Sequence, residues 1–166
     1  MFIRIKKFGK KEYAYLVENK WTYKGSRQKV SKYLGRVAKP EKIKDEVFNF
    51  NPEKRGEEII RDLVKWQLLN HGFEEIAQNL FCFSDMFVDL NENKVFLKKK
   101  QENLQGAVKI NDAFLCDTTL KNLFNIKVEG ELEDSGRKFA EAFSLAGIPV
   151  QKEIFVELFR KVYGSR

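Results

Sequence analysis

The alternation of hydrophobic and polar positions changes period once along this chain. From Phe2 to Ala38 it runs with a period of two, as in strands with two different faces. From Glu57 onward apolar residues recur mainly at helical spacing. The first segment reads as three strands. Phe2 to Phe8 sets Ile3 and Ile5 against Arg4 and Lys6, and Gly9-Lys10-Lys11 is a turn signal. Glu12 to Glu18 is a β-rich run of aromatic and branched residues. Asn19 to Ser26 reads as a polar loop carrying Trp21 and Tyr23. Arg27 to Val37 alternates again, with Gln28, Val30, Lys32 and Leu34 on one side and Arg27, Lys29, Ser31 and Tyr33 on the other. Gly35 is placed to end that strand. The expectation is a small antiparallel meander over residues 1–39, which needs a cover to be stable.

Residues 40–56 read as a connector punctuated by Pro40, Pro52 and Gly56, with Val47, Phe48 and Phe50 available to pin it. Residues 57–166 read as a mainly helical domain. Glu57 to Asn70 places Ile59, Ile60, Leu63, Val64, Trp66 and Leu68 on a helix with acids in its first turn, closed by Gly72. Phe73 to Phe81 is expected to form a second, shorter helix. Met86 to Leu90 and Lys94 to Lys98 flank Asn91-Glu92-Asn93 and read as a β-hairpin, and Gly106 to Asn111 as a further strand. Thr118 to Phe124 reads as a short helix with Asp117 as its N-cap. Another helix starts at Asp134 or Ser135 and runs to Ala146, closed by Gly147. The last, Gln151 to Tyr163, aligns Ile154, Phe155, Leu158, Phe159 and Val162 on one stripe. The fold class is therefore α+β: a basic antiparallel β-meander, then a mainly helical domain with a β-hairpin.

Charge sharpens this division. Residues 1–39 hold twelve bases and two acids, a net +10, while the remainder holds 19 bases and 22 acids, a net −3. A basic head of that density attracts polyanions and displaces their counterions. Aromatics interleave with the bases, and four of the five tyrosines lie here: Tyr13, Tyr15, Tyr23 and Tyr33. On a small sheet such side chains can stack on unpaired bases while Lys and Arg follow phosphates. A β-ribbon can instead enter a groove of duplex DNA. The residues singled out for nucleic-acid contact are Lys20, Trp21, Tyr23, Lys24, Arg27, Lys29, Tyr33 and Arg36. Arg27, Lys29 and Tyr33 share a strand face if the alternation holds, and a slip of one residue would exchange the faces.

Other chemistry has weaker support. Cys82 and Cys116 stand alone in apolar contexts without metal-ligand spacing, and the single histidine, His71, sits beside a helix end. Free buried thiols, no cofactor and a cytoplasmic setting are expected. The chain has no apolar run near the roughly 18 residues a membrane span requires. It also has no phosphate-binding glycine loop and no nucleophile elbow. Carboxylates occur as Asp85 and Asp89, as Glu129, Glu131, Glu133 and Asp134, and as Glu57, Glu58 and Asp62. Asp85 and Asp89 would lie about 13 Å apart on a strand, too far to share one metal ion.

Tyr13-Ala14-Tyr15-Leu16-Val17-Glu18, Gly25-Ser26-Arg27-Gln28-Lys29-Val30 and Lys32-Tyr33-Leu34-Gly35-Arg36 together resemble the N-terminal segment of transposases of the IS4/IS1634 type. They are also similar to the heads of small archaeal proteins. The resemblance covers about a quarter of the chain and implies DNA handling. The body is too short for the RNase H-like catalytic domain of those transposases, so the resemblance implies nucleic-acid contact rather than transposition. The leading reading is a non-enzymatic protein that contacts the phosphate backbone of DNA or RNA through its head. In it the body supplies stability, homodimerisation or a protein contact. One alternative is an adaptor that docks through the C-terminal amphipathic helix. Another is a metal-dependent nuclease built on the body's carboxylates.

Overall fold

Three long strands, β1 (Phe2–Phe8), β2 (Lys11–Thr22) and β3 (Gly25–Ala38), form the expected antiparallel meander in the computed structural model, which describes residues 1–126 and 131–164. The Gly9-Lys10 turn joins the first two strands, with Gly9 at φ +59°. The polar loop expected over Asn19 to Ser26 is not a loop. Pairing continues from Lys20 with Arg27 to Thr22 with Gly25, and only Tyr23 and Lys24 turn the chain. Gly25 at φ +100° provides the backbone freedom that this tight turn requires. Thr22 Oγ1 donates to the Gly25 carbonyl at 2.8 Å.

The body departs from the mainly helical expectation. It holds helix α1 (Gly56–Asn70), then strands β4 (Glu74–Ala77), β5 (Leu80–Phe83), β6 (Met86–Asp89), β7 (Lys94–Lys99), β8 (Glu102–Ile110) and β9 (Ala113–Cys116). Helices α2 (Asp117–Phe124), α3 (Leu132–Ala146) and α4 (Lys152–Tyr163) follow. The helix expected over Phe73 to Phe81 is instead the β4–β5 hairpin. Gly72 at φ +79° ends α1, and Asn79 at φ +65° breaks the following segment. So short an isolated helix is marginal, whereas β5 gains a full antiparallel ladder with β6, from Leu80 with Asp89 to Phe83 with Met86. The β6–β7 hairpin and α1 stand where the periodicity puts them. The strand expected at Gly106 begins four residues earlier.

One mixed sheet runs β1-β2-β3-β8-β7-β6-β5-β4, with β9 paired to the C-terminal half of β8. The single parallel contact in this order, Arg36 to Ala38 against Gly106 to Val108, joins the head's strands to those of the body. Gly35 lies at this junction with φ +122°. The main core lies between the body's strands and the helices, around Leu63, Leu68, Phe81, Leu115, Leu120 and Phe139. A smaller cluster of Ala14, Leu34, Ala107 and Cys116, with Ile3, Ile5 and Leu16 against it, covers one face of the meander.

The connector is pinned as expected by Phe48 and Phe50, which pack on the main core, while Val47 is exposed. Phe48 meets Trp66 at 5.5 Å between ring centroids, and Trp66 Nε1 donates to the Glu46 carbonyl. Residues Ile43 and Lys44 donate their backbone N–H groups to the Asn70 carbonyl at the end of α1. The first turn of α1 is closed by Glu58, which accepts the Arg55 backbone N–H at 2.9 Å. Cys116, not Asp117, is the N-cap of α2. Asp117 Oδ1 accepts the Val95 backbone N–H at 2.7 Å and so ties α2 to β7.

Candidate nucleic-acid interface

Cross-strand register decides which head residues share a face, and two β-bulges decide the register. Val17 pairs with Val30 but Leu16 pairs with Lys32, leaving Ser31 as an extra residue. Tyr15 pairs with Tyr33 but Ala14 pairs with Gly35, leaving Leu34 extra. Each bulge reverses the parity of β3 while β2 continues unbroken. The first of them separates residues the simple alternation puts together. Arg27, Lys29 and Lys32 stand opposite Lys20, Glu18 and Leu16 on one face, whereas Tyr33 and Arg36 stand opposite Tyr15 and Tyr13 on the other. The expected common face of Arg27, Lys29 and Tyr33 is therefore corrected: Tyr33 belongs with the tyrosines of β2. Side-chain contacts agree. Lys32 Nζ donates to Thr118 Oγ1 on α2 at 3.0 Å, while Tyr33 packs against Tyr15 and Tyr13.

Between Asn19 and Tyr33 every residue except Gly25 is exposed, so the β2–β3 hairpin projects as a bare two-stranded arm. Its tip carries Trp21, 84% exposed, and Tyr23, 93% exposed, with Lys24 Nζ 5.4 Å from the Tyr23 ring centroid. Lys20 and Arg27 are register partners, and Lys29 follows on the same face. Among the described residues no carboxylate lies within ion-pair distance of Lys20, Lys24, Arg27 or Lys29. Glu18, the register partner of Lys29, reduces the arm's positive field without cancelling it. Two of the eight selected residues stand apart from the arm: Tyr33 and Arg36 lie at its base, where Arg36 Nη1 is 3.5 Å from Asp85 Oδ2. Exposed pairs of this kind contribute little to stability.

Near that base the open face of the sheet carries a band the sequence reading did not assemble. Phe8 meets Tyr13 edge-on at 5.8 Å, and Tyr33 lies 6.4 Å from Tyr13 and 5.4 Å from Tyr15. Lys6 Nζ sits 5.1 Å from the Tyr15 ring centroid, and Arg4 donates to Gln28 Oε1 at 2.9 Å. Partial burial and the neighbouring tyrosines push the Tyr33 phenol above its ordinary range, so it stays protonated at neutral pH. The signal available in the sequence was the odd-numbered spacing of Tyr13 and Tyr15 beside the even-numbered spacing of Arg4 and Lys6. Only the β1–β2 register, Arg4 with Tyr15 and Lys6 with Tyr13, shows that they share a face.

The carboxylates considered for a metal site are dispersed. Asp89 Oδ1 accepts the backbone N–H groups of Asn91 and Glu92, Asp62 pairs with Lys54 at 2.6 Å, and Glu58 caps α1. The hydrogen bond from the Arg55 backbone holds the Glu58 carboxyl below its usual range. Glu131 is the N-cap of α3, Glu133 and Asp134 occupy its first turn, and Glu129 lies outside the described residues. Among the described residues no three His, Cys, Asp or Glu side chains converge on one point. His71 is the buried C-cap of α1, with Nδ1 2.8 Å from the Gln67 carbonyl. Cys82 is half-buried and Cys116 fully buried, and both are free thiols. Burial raises the Cys82 thiol above its ordinary range.

The apolar stripe of α4 is used inside the molecule. Ile154 and Leu158 are buried, and Phe155 and Phe159 meet Phe139 of α3 at 5.2 and 5.4 Å. No helix among the described residues is long and apolar enough to cross a membrane. No protein-family model, curated protein or solved structure matches this chain.

Proposed function

We propose that this protein binds nucleic acid without chemical conversion, gripping the phosphate backbone with the β2–β3 arm. One observation carries the reading: Lys20, Arg27 and Lys29 stand on one face of a bare, projecting two-stranded ribbon, where they outnumber the single carboxylate opposite them, Glu18, which forms no ion pair with any of the three. Same-face residues along a strand lie about 7 Å apart and register partners about 5 Å, so these three cations form a compact triangle of positive charge. The exposed rings of Trp21 and Tyr23 at the tip add surfaces that stack on bases or wedge against sugars. The resemblance of this same segment to transposase heads points to the same class of ligand.

The test is fluorescence anisotropy of the full chain with labelled duplex DNA, single-stranded DNA and single-stranded RNA, over about 50 to 200 mM salt. Wild type should bind with an affinity that falls linearly on logarithmic axes as salt rises. Replacing Lys20, Arg27 and Lys29 together by Ala should lower the magnitude of that slope by about 2 to 3, close to one counterion per lost phosphate contact. The reading is refuted if wild type shows no salt-dependent binding to any of the three probes, or if the triple variant keeps the wild-type slope.

A further inference from the structure

The base of the arm holds a cleft of about 330 Å³ that the phosphate contacts of the arm leave unused. Head and body build it together: Tyr13 and Tyr33 line it from β2 and β3, and Leu97 and Leu104 from β7 and β8. Lys11, Arg36 and Lys99 supply positive charge, and Asp85 and Gln105 supply hydrogen-bonding groups. A shallower groove shares Lys99 and Leu104 with it and continues to Lys100 in the β7–β8 turn. The ring of Tyr33 is held against two other tyrosines yet remains 41% exposed. An aromatic wall, an apolar floor and a few polar groups at the edge are the usual make-up of a site for a flat ligand. This volume lies at the low end of the range for such clefts, about 300 to 1,000 Å³, which suits a single ring system.

We infer that this cleft takes one unpaired base of a nucleic-acid strand, stacked on Tyr33, and that the protein therefore prefers single strands to duplex. The inference rests on the nucleic-acid reading above and deepens it. A base inside a duplex has both faces stacked and its Watson–Crick edge occupied, so it cannot enter a concave site lined by rings. A single strand can splay one base out. Lys11 and Lys99 then stand near the flanking phosphates, and the groove past Leu104, lined by Lys99, Lys100 and Glu102, gives the backbone an exit of net positive charge. Asp85 and Gln105 face the hydrogen-bonding edge of the base. Arg36, ion-paired with Asp85 at the same place, offers donors as well, so the edge of the base meets both kinds of group.

Anisotropy with a short labelled single strand, and with the same strand in duplex form, tests this on the full chain and on Tyr33→Leu and Tyr33→Trp. Thermal unfolding of each variant monitors the fold. The Leu side chain keeps an apolar contact and removes the stacking face; the Trp keeps one. Tyr33→Leu should weaken single-strand binding about tenfold, the loss of one stacked base, and leave duplex binding unchanged. Tyr33→Trp should match wild type on both probes. Unchanged single-strand affinity in Tyr33→Leu overturns the inference, as does an equal loss on both probes. Absence of salt-dependent binding by wild type to either probe would instead overturn the nucleic-acid reading itself. Lys99→Glu, at the exposed end of β7, is the second variant should Tyr33→Leu lower the melting temperature. It should weaken the single strand more than the duplex, and equal effects on the two overturn the inference.

Discussion

Gly35→Ala changes a single atom at the place where the two parts of the sheet meet. Gly35 lies beside the one parallel contact of the sheet, at φ +122°, where residues with a side chain are strained. A Cβ added there would lie 2.4 Å from the Gln105 carbonyl oxygen, 2.5 Å from its carbon and 2.6 Å from the Gly106 nitrogen. All three are backbone atoms of β8, held on either side by β7 and β9, so none can swing away as a side chain would. The backbone strain costs about 1–3 kcal/mol. The forced separation of β3 from β8 costs about 1–3 kcal/mol more. The total, about 2–6 kcal/mol, is a large share of the roughly 5–15 kcal/mol that stabilises a typical domain.

Gly25→Ala is the matched control. Gly25 sits at φ +100° in the arm's turn, but its added Cβ meets no heavy atom within 4 Å, so only the strain applies. Urea unfolding of wild type and both variants, with midpoints and slopes compared, separates the two contributions. Gly35→Ala should be the less stable by the clash alone. If the two variants agree within about 0.5 kcal/mol, β8 yields freely at this contact and the reasoning is wrong.

Two further outcomes are expected. Phe139 is fully buried, with its ring 5.1, 5.2 and 5.4 Å from those of Phe143, Phe155 and Phe159, so Phe139→Ala should lower stability by about 3–5 kcal/mol in urea unfolding. Lys39 donates a hydrogen bond that holds the Glu12 carboxyl below its usual range, with smaller favourable contributions from the charges of Lys39, Lys7 and Lys109. Because the folded value is the lower one, this contribution is complete above the unfolded value near about pH 4.3 and disappears as pH falls through the folded value. The urea midpoint of Glu12→Gln should therefore fall less than that of wild type on acidification through this window.

The strands of the head were legible because their pattern is local. Ile3 and Ile5 against Arg4 and Lys6, and Tyr13 and Tyr15 against Ala14 and Leu16, are period-two signals that need no knowledge of the rest of the chain. α1 and α4 were legible for the same reason at helical period. Phe73 to Phe81 was misread because an apolar-and-acidic run of that length satisfies either period weakly. Its pairing with β6, made of residues further along the chain, decided the matter. The faces of β3 were misread because a bulge has no composition of its own. Ser31 and Leu34 look like ordinary strand residues, and only the partner strand reveals that they are extra.

By itself the sequence determined the class of the fold, the long strands and helices with clean periodicity, and the concentration of positive charge in the first 39 residues. These depend on the order of residues alone. Tertiary structure decided that the head's sheet continues into the body through β8, that the arm stands bare beyond it, and that Tyr13 and Tyr33 assemble beside Lys99 and Leu104. Each of these turns on backbone hydrogen bonds between residues far apart in the chain. Their register is set by how well whole faces pack, a quantity that no local window of sequence contains.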